Sequence, residues 1–123
     1  MNYGKPEDIN QRTFKFAIRV IMLCKALPSD ETNKILTNQV IRSATSVGAN
    51  LEEASGSRTK AEFVNSTNIA KKEARETHYW LKIVYEVNNQ TIKGRMIDLL
   101  KETNEIVSIL TSSVKTLQKN LKS

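Results

Sequence analysis

The sequence predicts an all-α protein, an antiparallel up-down-up-down four-helix bundle that oligomerises, on three observations. Apolar residues recur at steps of three and four in four successive segments, which is the period of a helix that buries one face. The connections between segments are short and carry helix stop and start signals, and no segment alternates apolar and polar residues as a half-buried strand does. Several apolar faces are wider than one bundle core requires, and surplus apolar surface on a helical bundle points to self-association.

The first helix is expected over residues 8–27. Pro6-Glu7-Asp8 suits its N-terminus, where the dipole and the free amides favour negative charge. Ile9, Thr13, Phe16, Ala17, Val20, Cys24 and Leu27 form one stripe, Phe14, Ile18 and Ile21 widen it, and Arg12, Lys15, Arg19 and Lys25 lie near its margins. Pro28 marks the stop, because the residue before a proline avoids helical backbone angles.

The second helix is expected over residues 31–55, with Ser29-Asp30 supplying an N-cap and Gly56 ending it through its tolerance of the left-handed conformation. Leu36, Val40, Ala44, Val47, Leu51 and Ala54 form its core stripe. A second stripe of Gln39, Arg42, Ser46, Asn50 and Glu53 carries only groups that donate or accept hydrogen bonds. Ser43, Ala44, Ser46, Gly48 and Ala49 are small, and a helical Gly costs roughly 1 kcal/mol against Ala, so close backbone approach is expected there. The second stripe is read as a polar seam packed against a neighbouring helix.

Thr59-Lys60-Ala61-Glu62 matches the capping box and opens a third helix over residues 60–88. One stripe holds Phe63, Thr67, Ala70, Ala74, Thr77, Leu81 and Val84, and a second holds Ile69, Glu73, Glu76, Trp80, Ile83 and Val87. Carboxylates between Ile69 and Trp80 require a partner, and Arg42 is expected to pair with Glu73 or Glu76 while Asn50 bonds nearby groups. Asn88 to Gly94 reads as a loop by its Asn and Gly content. The fourth helix follows over residues 95–121, burying Leu100, Val107, Leu110, Val114, Leu117 and Leu121, broadened by Leu99, Ile106 and Ile109, with Lys115, Lys119 and Lys122 near its negative dipole end.

At 123 residues with 39% hydrophobic content, one domain over residues 1–123 is expected to close a single core. Phe14 to Leu27 is interrupted by Lys15, Arg19 and Lys25, so neither a signal peptide nor a membrane span is expected and the location is read as cytoplasmic. Cys24 is the single cysteine and reads as a buried structural thiol; His78 is the single histidine and has no companion at ligand spacing. With no Gly-rich phosphate loop, no nucleophile beside a base and no metal constellation, the chain is read as a non-enzyme that needs no cofactor.

Net charge is +6, from 19 Lys and Arg against 13 Asp and Glu. Arg58 and Lys60 at the tip between helices two and three, Lys71, Lys72 and Arg75 on helix three, and Lys93 and Arg95 before helix four are the candidate phosphate-binding cations. They point to RNA or DNA bound with little sequence preference, and Tyr79, Trp80 and Tyr85 read as packing residues with a polar handle. The competing reading is a protein-protein interaction scaffold without nucleic-acid binding.

Gln39-Val-Ile-Arg-Ser-Ala-Thr-Ser-Val-Gly-Ala-Asn-Leu-Glu-Glu-Ala54, taken with Ile69-Ala-Lys-Lys-Glu-Ala-Arg-Glu-Thr-His-Tyr-Trp-Leu81, resembles the four-helix bundle family first named for proteins encoded in 23S rRNA intervening sequences. The resemblance spans nearly the whole chain. It implies a compact bundle assembled as a homopentamer around a central channel, and it extends to the accessory variability protein of diversity-generating retroelements, which implies nucleic acid and a reverse transcriptase as partners. The family's motif positions fall on Gln39, Arg42, Ser43, Ala44, Ala49, Asn50, Glu53 and Glu76. Many members carry Gly-Ser where this chain has Lys72-Glu73, and many continue to Glu-Gly where it reads Glu53-Ala54.

Overall fold

The structure, a computed structural model, describes residues 8–122 and holds four helices: α1 (Ile9–Ala26), α2 (Glu31–Ser55), α3 (Lys60–Val87) and α4 (Gln90–Lys122). Pro6, Glu7 and the side chain of Lys122 lie outside what is described. The helices close a ring in which α1 meets α2, α2 meets α3, α3 meets α4 and α4 returns to α1; the α2–α3 contact is the most extensive and the α1–α4 contact the least. Links as short as these force antiparallel neighbours.

Local chemistry sets the helix ends. Asp8 caps α1 by accepting from the Asn10 amide at 3.3 Å, and Asp30 caps α2 through the Asn33 amide at 2.7 Å. At the head of α3 the Thr59 hydroxyl accepts from the Glu62 amide at 3.1 Å while Glu62 reaches back to the Arg58 amide at 2.9 Å, so the box closes one residue further out than its usual form. Leu27, before Pro28, is extended and ends α1. Gly56 caps α2 differently from the expectation. Its φ of −95° is not left-handed, and its amide simply continues the turn by donating to the Glu52 and Glu53 carbonyls.

The fourth helix corrects the sequence reading most. It begins at Gln90, five residues earlier than expected, and Gly94 lies inside it with open space around the position a Cβ would take. The Asn89 side chain accepts from the Ile92 amide at 3.1 Å, a cap that converts the apparent loop into a helix start. Burial of Ile92 and Met96 outweighs the Gly penalty, since each fully buried side chain contributes about 1.5–3 kcal/mol. The core line of α4 is Ile92, Met96, Leu99, Thr103, Ile106, Leu110 and Val114, whereas Leu100 and Val107 are half-buried at its edge and Leu121 is exposed.

On α2 the whole expected stripe from Leu36 to Ala54 is buried. On α1 the core is Thr13, Phe16, Val20, Leu23 and Cys24, with Phe14 and Ile18 outside it. On α3, Val64 takes the buried place expected for Phe63. Burial pushes the Cys24 thiol above its ordinary value, which leaves it protonated and unreactive near neutrality.

Candidate functional site

The heptad arrangement of α3 divides its surface into a core line, two flanks and an outward ridge. Ala70, Ala74, Thr77, Leu81 and Val84 step along the buried line. The flank toward α2 carries Glu73, Glu76 and Trp80. Arg42 reaches across from α2 to both carboxylates, at 3.5 Å to Glu73 and in closer contact with Glu76, and the Trp80 indole donates to the same Glu76 oxygen at 2.9 Å. Beneath this network the Thr77 hydroxyl donates to Ser43 Oγ at 2.9 Å in full burial.

The seam is less buried than its sequence suggests. Arg42 keeps 49% of its side chain exposed and Glu73 18%, so solvent screens the network from the arginine side. Gln39 accepts from Arg42 at 3.5 Å, but Ser46 donates to the Arg42 carbonyl and Asn50 to the Ser46 carbonyl, each at 2.8 Å, bonding back to their own helix and making no hydrogen bond to α3. Glu53 is exposed at the far end of the stripe.

The opposite flank of α3 faces α4. The Lys93 ammonium sits 5.3 Å from the centre of the Tyr85 ring, which places Lys71, His78 and Tyr85, spaced by seven, along that side. Burial, reinforced by the charge of Lys82, lowers the His78 pKa and keeps its imidazole neutral at pH 7.

Between the flanks runs the ridge of Lys72, Arg75, Tyr79, Lys82 and Glu86, all exposed. Among the described residues, Lys71, Lys72, Arg75 and Lys82 have no carboxylate partner. Glu73 and Glu76 of α3 are drawn to the α2 side by Arg42, and Glu102 and Glu105 of α4 are drawn to the α1 side by Arg12. Charge is therefore segregated: the outward α3 surface holds cations with Glu86 as the acid in line with them.

The candidate cations are not one patch. Lys71, Lys72 and Arg75 share the middle of α3, but Arg58 and Lys60 stand at its N-terminal end, on the order of 20 Å along the helix axis from Lys72. Lys93 lies at the other end against Tyr85, and Arg95, two residues on, points roughly 200° around α4 from it. Lys82 is a ridge cation that the sequence reading left out, although its place seven residues after Arg75 puts it on the same line. No group of three or more His, Cys, Asp or Glu is arranged to hold a metal ion, and no helix is long and apolar enough to cross a membrane, among the described residues.

An all-helical bundle with an ion-paired α2–α3 flank and a cationic α3 ridge defines the class of protein. Within that class, the chain belongs to the 23S rRNA-intervening sequence protein family, whose sequence profile matches residues 5–112. It is similar to the crystal structure of a protein with unknown function from the S23 ribosomal protein family of Bacteroides thetaiotaomicron, at 32% identity and a TM-score of 0.78, over 88% of this chain and 99% of that one. No curated protein matches the sequence.

Proposed function

We propose that the chain is a non-enzymatic accessory protein that assembles as a homopentamer and binds RNA or DNA through phosphate contacts on the α3 ridge. The observation that carries this reading is the charge segregation: Glu73, Glu76, Glu102 and Glu105 are held in ion pairs on the flanks while Lys72, Arg75 and Lys82 face outward without carboxylate partners, with Glu86 at the end of their line. Clustered cations suffice for phosphate binding, and an assembly repeats the ridge in every copy, raising the local field.

Binding of labelled RNA and DNA measured against salt tests the reading. Log affinity is expected to fall with log salt at a slope of about −0.9 per contacted phosphate on duplex DNA and about −0.7 on single strands. Replacing Lys72 and Arg75 by Glu should abolish binding with the oligomer intact, whereas the same change at Arg58 and Lys60 should weaken it less. No detectable binding at about 50 mM salt, where phosphate contacts are strong, would sink the proposal.

A second reading is a protein scaffold, with a reverse transcriptase as one kind of partner. It is favoured by Phe14, Ile18 and Met22, three large apolar side chains exposed along one line of α1 beside a groove of about 330 Å³ floored by Ala17, Gly48 and Ala49.

A further inference from the structure

Tyr79 reads from the sequence as a packing residue, yet 55% of it is exposed. It stands on the ridge between Arg75, one turn before it, and Lys82, one turn after, with Lys72 a further turn back. These positions span about 15 Å of helix. The ring is also supported from below. It meets the Trp80 ring in a T-shaped contact with centroids 5.2 Å apart and planes inclined at 70°, and the Trp80 indole is pinned by Glu76, which Arg42 holds in turn. A chain of contacts from α2 therefore steadies an aromatic ring that projects among unpaired cations.

Resting on the nucleic-acid reading above, we propose that this ridge binds single-stranded nucleic acid, with Tyr79 as the stacking platform for a base and Arg75, Lys82 and Lys72 holding the phosphates on either side. An aromatic face is useful only to a base whose own face is free. Bases inside a duplex are stacked on each other and present edges and phosphates, so a ring on a straight helix gains nothing from them, whereas a splayed single strand offers a base to it. Stacking of this kind tolerates any base, so the ligand is defined by strandedness rather than sequence. Trp80 is a positioning residue: it acts through the Tyr79 ring.

The test compares labelled mixed-sequence single-stranded RNA, single-stranded DNA and duplex DNA on the full chain, as wild type, Tyr79→Ala and Tyr79→Phe. The exposed position leaves the melting temperature a check that every variant is folded. The expected result is tighter binding of RNA or DNA single strands than of duplex at equal salt. Tyr79→Ala should weaken single-strand binding by roughly 5- to 160-fold with an unchanged salt slope. Tyr79→Phe should bind as wild type, and duplex affinity should not respond to either change. Salt-sensitive binding that Tyr79→Ala leaves untouched, or lowers equally on duplex, overturns this inference and leaves the phosphate-binding proposal standing. Absence of binding to all three probes overturns both.

Discussion

Arg12 grips Glu102 in a two-pronged ion pair, Nε and Nη2 each 2.8 Å from a carboxylate oxygen, and joins α1 to α4 where the ring of helices has its least extensive contact. Nη2 also reaches Glu105 at 2.6 Å. Both partners in the main pair are largely shielded from solvent, which distinguishes it from the half-exposed Arg42 network. Replacing Arg12 by Ala leaves Glu102 without its partner and should lower unfolding free energy by on the order of 2 kcal/mol. Urea unfolding at neutral pH measures it, and a change within error would place the pair with ordinary surface bridges.

The same pair carries a pH signature. Hydrogen bonding to Arg12 holds the Glu102 pKa below the ordinary carboxyl value against the opposing effect of burial, and the charges of Arg12 and Arg19 add to it. A carboxyl depressed in the folded state stabilises the fold above the unfolded value of about 4.3 and loses that contribution as pH falls through the folded value. Glu102→Gln should thus be less stable than wild type at pH 7, and the gap should close as pH drops below about 4. A gap independent of pH would mean that packing, and not charge, is lost.

Gly48 faces Thr13 at the crossing of α1 and α2. A Cβ added there would meet Thr13 Oγ1 at 3.4 Å and the Phe14 backbone at 3.8 Å, which is ordinary van der Waals contact. Gly48→Ala should accordingly raise stability by about 0.5–1 kcal/mol through helix propensity. Thermal melting decides: a lowered melting temperature would show that Thr13, fixed by hydrogen bonds to the Ile9 and Asn10 carbonyls, does not yield.

Asn33 and Asn88 exchange two amide hydrogen bonds of 3.0 Å each between α2 and the end of α3, and Asn33 also donates to the Pro28 carbonyl at 3.0 Å. Asn33 is buried, so Asn33→Ala takes the donor away from Asn88 Oδ1 and from the Pro28 carbonyl together, while Asn88 Nδ2 keeps its bond to the Val84 carbonyl at 2.9 Å. The expected cost is about 1–3 kcal/mol, read by urea unfolding. Near wild-type stability would mean that water replaces the lost amide.

The apolar line of Phe14, Ile18 and Met22 bears on assembly. If it is covered in an oligomer, Ile18→Glu should reduce the mass by light scattering toward 13.9 kDa. An unchanged oligomer would move the interface to another face.

Local signals made α1 to α3 legible, because Asp30, Thr59, Glu62 and Pro28 act within a few residues of themselves. The head of α4 was hidden, since Gly94 and the Asn pair resemble a loop until the burial of Ile92 and Met96 is counted. Arg42 with Glu73 and Glu76 could be anticipated from two facing stripes, but its exposure could not, because periodicity does not report how far a side chain reaches toward solvent. Arg12 and Glu102 lie 90 positions apart and neither carries a local signal. Tyr79 was misread for the same reason: the face of a helix that looks outward is settled only once its neighbours are in place.

The unequal contacts around the ring imply an order of events when the chain folds. Neighbouring helices meet across short links with little loop entropy, so α2 and α3, joined through Gly56 to Thr59 and sharing the most extensive contact, are the natural nucleus. Contact between α1 and α4 must wait until the intervening helices have aligned, and the Arg12–Glu102 pair is then absent at the rate-limiting barrier. Stopped-flow measurements on Arg12→Ala should show refolding near the wild-type rate and unfolding faster by most of the lost stability. A buried Val47→Ala change in the α2 core should instead slow refolding, making the last helix contact the latch that sets how long each molecule stays folded.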